Sequence, residues 1–173
     1  MPADLSAYGR VLAGRIGAAD EPVDLLVGLS VGAQAATVAA AACGSRVRRL
    51  MLVSPTVDPA TRTAPALLGR WLFGGRVEPA GMLREQLPDW RRAGPRRLLS
   101  VLRSALAVRI EALLPTVTAR LTVVHTEHDL ITSHSYAAEL ATAGELVVVP
   151  GATHSWPYRD GERFADLVEA RLG

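Results

Sequence analysis

The chain has 173 residues, a length typical of one domain with a sizeable hydrophobic core. Its formal net charge is only +2, so the charge does not favour a nucleic-acid partner. All 19 basic residues are arginine. The single cysteine, Cys43, excludes an intrachain disulfide and is expected to be a small buried residue. Residues 1–17 lack the apolar core of a signal peptide, and no apolar run approaches ~20 residues, so we expect a cytoplasmic protein without membrane contact.

The first part of the chain alternates between helical and strand-like patterns. Apolar residues at helical spacing predict a helix over 5–18. Short, mainly apolar runs over 23–29 and 47–53 are typical of strands buried on both faces. Between them, an alanine-rich segment predicts a helix over 31–43 that packs closely on a sheet and ends at Gly44.

The middle of the chain, residues 58–114, has a different character. It lacks strand-like runs and contains closely spaced glycines and prolines, with short helices predicted over 64–73, 80–86 and 96–113. Six arginines lie between Arg84 and Arg103, where a solvated surface is favoured over a patch for an anionic ligand. We predict that this segment is a helical insert between two parts of one core, residues 1–57 and 115–173.

The last part of the chain returns to the alternating pattern. Strands are predicted over 121–125 and 145–149, and helices over 133–141 and 163–172. Strands that alternate with helices imply parallel pairing and right-handed crossovers. The sequence therefore predicts an α/β fold with a mostly parallel sheet of about four strands flanked by helices.

A serine between two glycines stands where the first predicted strand meets the second helix, in Gly28-Leu29-Ser30-Val31-Gly32. Strand, tight turn and helix around Gly-x-Ser-x-Gly form a nucleophile elbow, which lifts the serine oxygen above the sheet. Glycines are expected beside Ser30 because larger residues would collide with neighbouring elements. The Val31 amide, at the helix start, would then face negative charge that forms nearby. The alternative is an ordinary strand-to-helix turn with a capping serine.

A nucleophilic serine needs a base, and the base needs an orienting carboxylate. We expect both after strands, where a parallel sheet gathers its ligands. Asp129 follows the third predicted strand in HTEHDLITS, and His154 follows the fourth in VVVPGATHSWPY. The chain order Ser30, Asp129, His154 is the order that accompanies a nucleophile elbow.

The chain resembles the α/β-hydrolase family from Leu5 to its end. The resemblance is carried by the segments GLSVG, LTVVHTEHDLITS and PGATHSWP. The resemblance implies that Ser30 is the nucleophile, His154 the general base and Asp129 its orienting acid. It leaves Asp58, after the second strand, as the alternative acid. Thr126 stands where the family usually has glycine.

The resemblance also gives the insert a role. In the family, a segment in this position forms a cap over a small-molecule substrate. The aromatic residues of the insert would then line the substrate pocket or form the packed interior of the cap; they are Trp71, Phe73 and Trp90.

A second set of residues is of the type that binds metal ions: His125, His128, Asp129 and His134. His125 lies at a strand end and His134 begins a helix, so convergence on one ion is not expected. We predict neither a metal nor a cofactor.

Family members usually have several strands before the helix that here begins at Leu5, and one of them ends in a His-Gly loop with a second oxyanion-hole amide. Residues 1–22 contain neither feature. The strand Val23–Leu29 is therefore expected at a sheet edge, where exposed apolar residues favour a homo-oligomer. Three interpretations follow: the true start lies upstream, a partner completes the sheet, or the chain is a degenerate member with little activity.

The leading hypothesis is an esterase-like serine hydrolase. It would cleave a small-molecule ester, thioester or amide by acyl transfer through a Ser-His-Asp catalytic triad. The alternative is a non-catalytic binding or assembly module on the same fold. The same triad also serves acyltransferases and lyases, and the sequence does not identify the substrate.

Overall fold

The computed structural model describes residues 4–75, 77–78 and 80–172. Within this part of the chain, the strands are β1 (Val23–Leu29), β2 (Val47–Val53), β3 (Arg120–Thr126) and β4 (Glu145–Val149). All neighbouring pairs are parallel, and the order across the sheet is β1-β2-β3-β4. The predicted α/β class and the four-stranded parallel sheet are therefore confirmed.

Helices connect the strands and cover the sheet. They are α1 (Leu5–Gly17), α2 (Gly32–Cys43), α3 (Ala64–Gly74), α4 (Ala80–Ala107), α5 (Ile110–Leu113), α6 (His134–Leu140), α7 (Trp156–Arg159) and α8 (Gly161–Glu169). Short 3-10 helices lie over Gly44–Arg46, Pro59–Thr61, Leu114–Thr116 and Ala141–Ala143. Among the described residues, no helix combines the length and the apolar character needed to cross a lipid bilayer.

The central strand β2 shows why the strands are mainly apolar. Its side chains alternate between the two faces of the sheet. Leu50 and Leu52 pack against the alanines of α2 on one face, and Met51 and Val53 pack with Trp156 on the other. All four β2 side chains are fully buried, and each contributes roughly 1.5–3 kcal/mol relative to an exposed side chain.

Helices α1 and α2 approach each other closely because small residues face each other. A Cβ atom at Gly9 would lie 2.6 Å from Cβ of Val38 and 2.8 Å from the Ala35 carbonyl oxygen, so only glycine fits there. Cys43, at the end of α2, is partly buried with its sulfur 3.6 Å from the Ala13 carbonyl oxygen. These contacts agree with a structural role for the cysteine.

The segment between β2 and β3 differs from its predicted short helices. The helix predicted over 80–86 continues past Pro88 in α4, although an interior proline ordinarily disfavours a helix. The interruption comes instead at Gly94, whose φ of 74° and ψ of 161° kink the element. The helix predicted over 96–113 breaks at 108–109, before α5. The division of the chain into core and cap stays a prediction.

Three side chains connect the two ends of this segment with α6; we call Arg62, Glu111 and Tyr136 the hinge cluster. Arg62 lies 2.7 Å from a carboxylate oxygen of Glu111, and the hydroxyl of Tyr136 donates to the other oxygen at 3.4 Å. Burial raises the pKa of the Glu111 carboxyl, but hydrogen bonds from Arg62, its own backbone and Arg109 outweigh it and lower the pKa from 4.5 to about 2. The carboxylate is therefore strongly favoured in the folded protein.

Candidate active site

The backbone at Ser30 is held in an uncommon conformation between β1 and α2. Its φ is 53°, in the left-handed region, which costs a non-glycine residue about 1–3 kcal/mol. The Ser30 N–H donates to the Val53 carbonyl at 2.9 Å, and its own carbonyl accepts from Ala33 at 3.0 Å. The turn is thus fixed at one end by the sheet and at the other by the first turn of α2.

The two glycines that flank the serine have different environments. A Cβ atom at Gly28 would lie 2.7 Å from the Cα atom of Ala33 and 2.8 Å from Cβ of Ala36, so the strand and helix can meet only over a glycine. At Gly32, a Cβ atom would meet no described heavy atom within 4 Å. The expected collision therefore exists at Gly28 and is absent at Gly32.

The structure brings Ser30, His154 and Asp129 together at the carboxyl ends of the strands. His154 Nε2 lies 2.9 Å from Ser30 Oγ, and His154 Nδ1 lies 2.9 Å and 3.1 Å from the two Asp129 oxygens. A carboxylate only accepts hydrogen bonds, so Nδ1 carries the proton and Nε2 is free to accept from the serine hydroxyl. The side chains of His154 and Asp129 are 7% and 0% exposed, which keeps water away from the hydrogen bonds between these two residues.

The Asp129 carboxylate is held by its own loop. The N–H groups of Ile131 and Thr132 each donate to Oδ1 at 2.8 Å, and the Thr126 hydroxyl donates to Oδ2 at 3.4 Å. Burial raises the pKa of Asp129, but the hydrogen bond and charge of His154 and the two N–H donors outweigh it, and the pKa is lowered overall. Thr126, the departure from the family pattern, thus contributes a hydroxyl to the acid.

The alternative acid, Asp58, is placed elsewhere. Its carboxylate accepts from the Ser133 hydroxyl at 2.6 Å and from the Ala60 N–H at 2.8 Å, and it lies 3.9 Å from an Arg70 nitrogen. Of the two aspartates, the one that contacts His154 is Asp129. Asp58 therefore fixes the loop after β2 to the start of α6.

The residues weighed as metal ligands are not arranged around one point. The rings of His125 and His134 stack edge to face with centroids 5.2 Å apart. Asp129 is occupied by His154 and its own loop. Within the described ranges, no group of three or more His, Cys, Asp or Glu side chains could hold an ion.

A cavity of about 630 Å³ opens over Ser30 and His154. Its apolar lining comes from β1, the insert and the loop after β3: Leu29, Trp71, Leu72, Met82, Trp90 and Ile131. The rings of Trp71 and Trp90 lie 5.1 Å apart at an angle of 57°. Phe73, for which the sequence left pocket lining and packing inside the cap as alternatives, is 65% exposed and lies outside the described lining.

Sequence reasoning missed Glu78, which also lines this cavity. One of its oxygens accepts from the Thr153 hydroxyl and from the Ser155 N–H, both at 3.2 Å. Glu78 is therefore hydrogen-bonded to the residues immediately before and after His154. Its other oxygen, Oε1, is buried without a partner among the described residues. No local pattern marks Glu78, because it lies between helices in a segment rich in glycine and proline.

The fold and the hydrogen-bonded serine, histidine and aspartate after parallel strands define an architecture of the α/β-hydrolase type. A sequence model of the alpha/beta hydrolase family matches residues 2–167, and the chain belongs to this family. No curated protein sequence matches the chain significantly.

Solved structures agree on the fold. The chain is similar to a hydrolase from Oleispira antarctica, with a TM-score of 0.82 and 13% identity over 98% of this chain and 72% of the other. It is also similar to an esterase from Exiguobacterium antarcticum, with a TM-score of 0.75 and 16% identity over 99% and 75%. A third similar structure, E-2-(acetamidomethylene)succinate hydrolase, has a TM-score of 0.74 and 20% identity over 99% and 75%.

Proposed function

We propose that the chain is a serine hydrolase that cleaves a small-molecule ester, thioester or amide by acyl transfer. The observation that carries the proposal is the continuous relay from Ser30 Oγ through His154 to Asp129, in which both hydrogen bonds are 2.9 Å long. The cavity directly over Ser30 supports it, because a small molecule placed there would present a carbonyl to the serine oxygen.

In the first half-reaction, Ser30 Oγ attacks the substrate carbonyl carbon and its proton passes to His154 Nε2. Asp129 holds the proton at Nδ1, and its negative charge stabilises the imidazolium that forms. The tetrahedral intermediate then collapses. The bond to the leaving group breaks, the leaving group takes the proton from Nε2, and an acyl-serine remains.

The negative charge on the tetrahedral intermediate falls near the amino end of α2. Val31 is the N-cap residue of this helix, and N–H groups in the first turn have no carbonyl partner within the helix. The Val31 N–H and the helix dipole therefore stabilise the oxyanion.

In the second half-reaction, a water molecule replaces the leaving group. His154 Nε2 takes a proton from the water as its oxygen bonds to the acyl carbon, and then returns that proton to Ser30 Oγ as the acyl–serine bond breaks. The carboxylic acid leaves and the resting hydrogen bonds are restored.

A fluorophosphonate probe, which bonds covalently to activated serines, tests the proposal without knowledge of the substrate. We expect the intact protein to be labelled and Ser30→Ala to lose all labelling. Ser54→Ala is the matched control, since Ser54 follows the neighbouring strand, is buried and also has a positive φ of 45°. An unlabelled, folded wild-type protein would refute the proposal and favour the binding or assembly module.

A further inference from the structure

The charge of the cavity contrasts with the charge of the chain. The sequence has 19 arginines, yet none is among the described residues that line the cavity over Ser30. Apart from His154, the ionisable side chain in that lining is Glu78. The described part of the lining therefore carries a carboxylate, whose charge favours a cationic group placed beside it.

The second observation is the uneven use of the Glu78 carboxylate. Oε2 has two donors, Thr153 and Ser155, whereas Oε1 is buried and has none among the described residues. Oε1 is closed off from the cavity as well as from other described donors, so Glu78 acts on a ligand through its negative charge and not through a free hydrogen-bond acceptor. A protonated amine in the cavity supplies the opposite charge.

The third observation is the pair of indole rings in the same lining. The rings of Trp71 and Trp90 are tilted against each other with centroids 5.1 Å apart, and both residues line the cavity. A cation within about 6 Å of such a face is attracted by the ring quadrupole, and tryptophan is the best of the aromatic residues at this. A carboxylate and two tryptophans in one small cavity form a set that suits an organic cation.

We infer that the substrate carries a protonated amino group, bound by Glu78 and the two tryptophans while its carbonyl reaches Ser30. The substrate class is thus an ester, thioester or amide of an amino-bearing acid or alcohol with an apolar spacer. This inference rests on the proposed hydrolase function for the reacting end of the molecule. The recognition of the ammonium end is a property of the cavity alone and is measured separately.

The test is equilibrium binding to Ser30→Ala, which removes turnover. The ligands are ethyl 6-aminohexanoate, ethyl heptanoate and monoethyl pimelate, which have the same spacer and end in ammonium, methyl and carboxylate. Titration calorimetry at neutral pH should give ethyl 6-aminohexanoate an affinity at least about tenfold higher than ethyl heptanoate. Monoethyl pimelate should bind most weakly. Equal affinities, or a preference for ethyl heptanoate or monoethyl pimelate, would overturn the inference without any Glu78 variant.

A second arm assigns the preference to Glu78. Adding Glu78→Gln should bring ethyl 6-aminohexanoate and ethyl heptanoate to similar affinity, because the amide keeps an acceptor for the Ser155 N–H but loses the charge. Glu85→Gln is the matched control: Glu85 lies on the same insert but is exposed and outside the described lining, so the preference should persist. If Glu78→Gln folds, judged by circular dichroism, and keeps the preference, the inference is wrong.

Hydrolysis of the same esters by the unmodified serine protein separates the two proposals. Selective binding without hydrolysis or probe labelling would retain the cation site and reject the hydrolase. Hydrolysis of ethyl heptanoate with kcat/KM equal to or above that of ethyl 6-aminohexanoate would retain the hydrolase and reject the cation site.

Discussion

Asp58 and Asp129 follow neighbouring strands, yet they have different partners. One oxygen of each carboxylate accepts N–H groups of its own turn. The remaining oxygen of Asp58 contacts Ser133, and that of Asp129 contacts His154. Which aspartate contacts His154 therefore depends on the direction in which each loop turns after its strand, and not on the position of the aspartate in the sequence.

This difference predicts distinct effects of two isosteric substitutions. Asp129→Asn should slow fluorophosphonate labelling of Ser30 by about 10⁴-fold, because an amide no longer enforces the productive imidazole tautomer. Asp58→Asn should leave the labelling rate nearly unchanged, because Asp58 contacts Ser133 and Arg70 instead. Stopped labelling reactions resolved on gels give both rates. A loss in Asp58→Asn as large as in Asp129→Asn would contradict the assignment of the acid.

At the scale of elements, β1 occupies one end of the described sheet order. The Ser30 N–H donates to β2, and alternate residues of a parallel strand direct their N–H groups to the same side. The N–H groups of Leu25 and Val27 therefore point away from β2. Open backbone groups beside half-buried apolar side chains favour pairing with another chain, and the homo-oligomer through Val23–Leu29 remains our proposal.

Proline at an outward-facing position tests this edge. Val27→Pro should remove one outward donor while the ladder to β2 persists, since proline is tolerated on edge strands. We expect sedimentation velocity to show concentration-dependent association of the wild-type protein and a large reduction of it in Val27→Pro. Val27→Ala, which loses the side chain but keeps the N–H, should still associate. A wild-type protein that stays monomeric at every concentration would rule out the proposal.

At the scale of the whole molecule, the hinge cluster connects three parts of the chain that are distant in sequence. Arg62 comes from the start of the insert, Glu111 from its end and Tyr136 from α6. The side chains of Arg62 and Glu111 are each only 16% exposed, so their ion pair is poorly screened. The cluster thus holds the start and the end of the segment 58–114 against α6.

The lowered pKa of Glu111 gives the acid stability a direction. Because the unfolded carboxyl, with a pKa of 4.5, takes up its proton before the folded one, the stabilisation is complete above that pH and is lost as pH falls toward about 2. Glu111→Gln should lower the free energy of unfolding at neutral pH by about 1–3 kcal/mol. It should also flatten the decline of stability over that acid range.

Urea unfolding at a series of pH values measures both effects. Glu145→Gln is the control, because its ion pair with Arg171 involves a carboxylate that is 53% exposed and contributes little. Glu145→Gln should keep the wild-type pH dependence of the free energy of unfolding. If Glu111→Gln keeps it as well, the hinge cluster does not stabilise the fold.

The sequence by itself determined the alternation of strands and helices and the positions of Ser30, Asp129 and His154 after strands. Hydrophobic periodicity is a local property, so β1 and β2 have their predicted bounds. Parallel strands also share a carboxyl edge, so residues that follow different strands are expected to meet. These two rules suffice to place a hypothetical site on the fold before any contact is known.

Only the tertiary structure decided which aspartate contacts His154, how far α4 extends and which residues Glu78 contacts. Each of these depends on side-chain directions or loop packing between residues far apart in the chain; Glu78, for example, contacts Ser155. Local patterns do not encode such contacts, because glycines, prolines and charged residues in a loop are compatible with many arrangements. Packing against the rest of the molecule selects one of them, and that selection gives the cavity its carboxylate and its tryptophans.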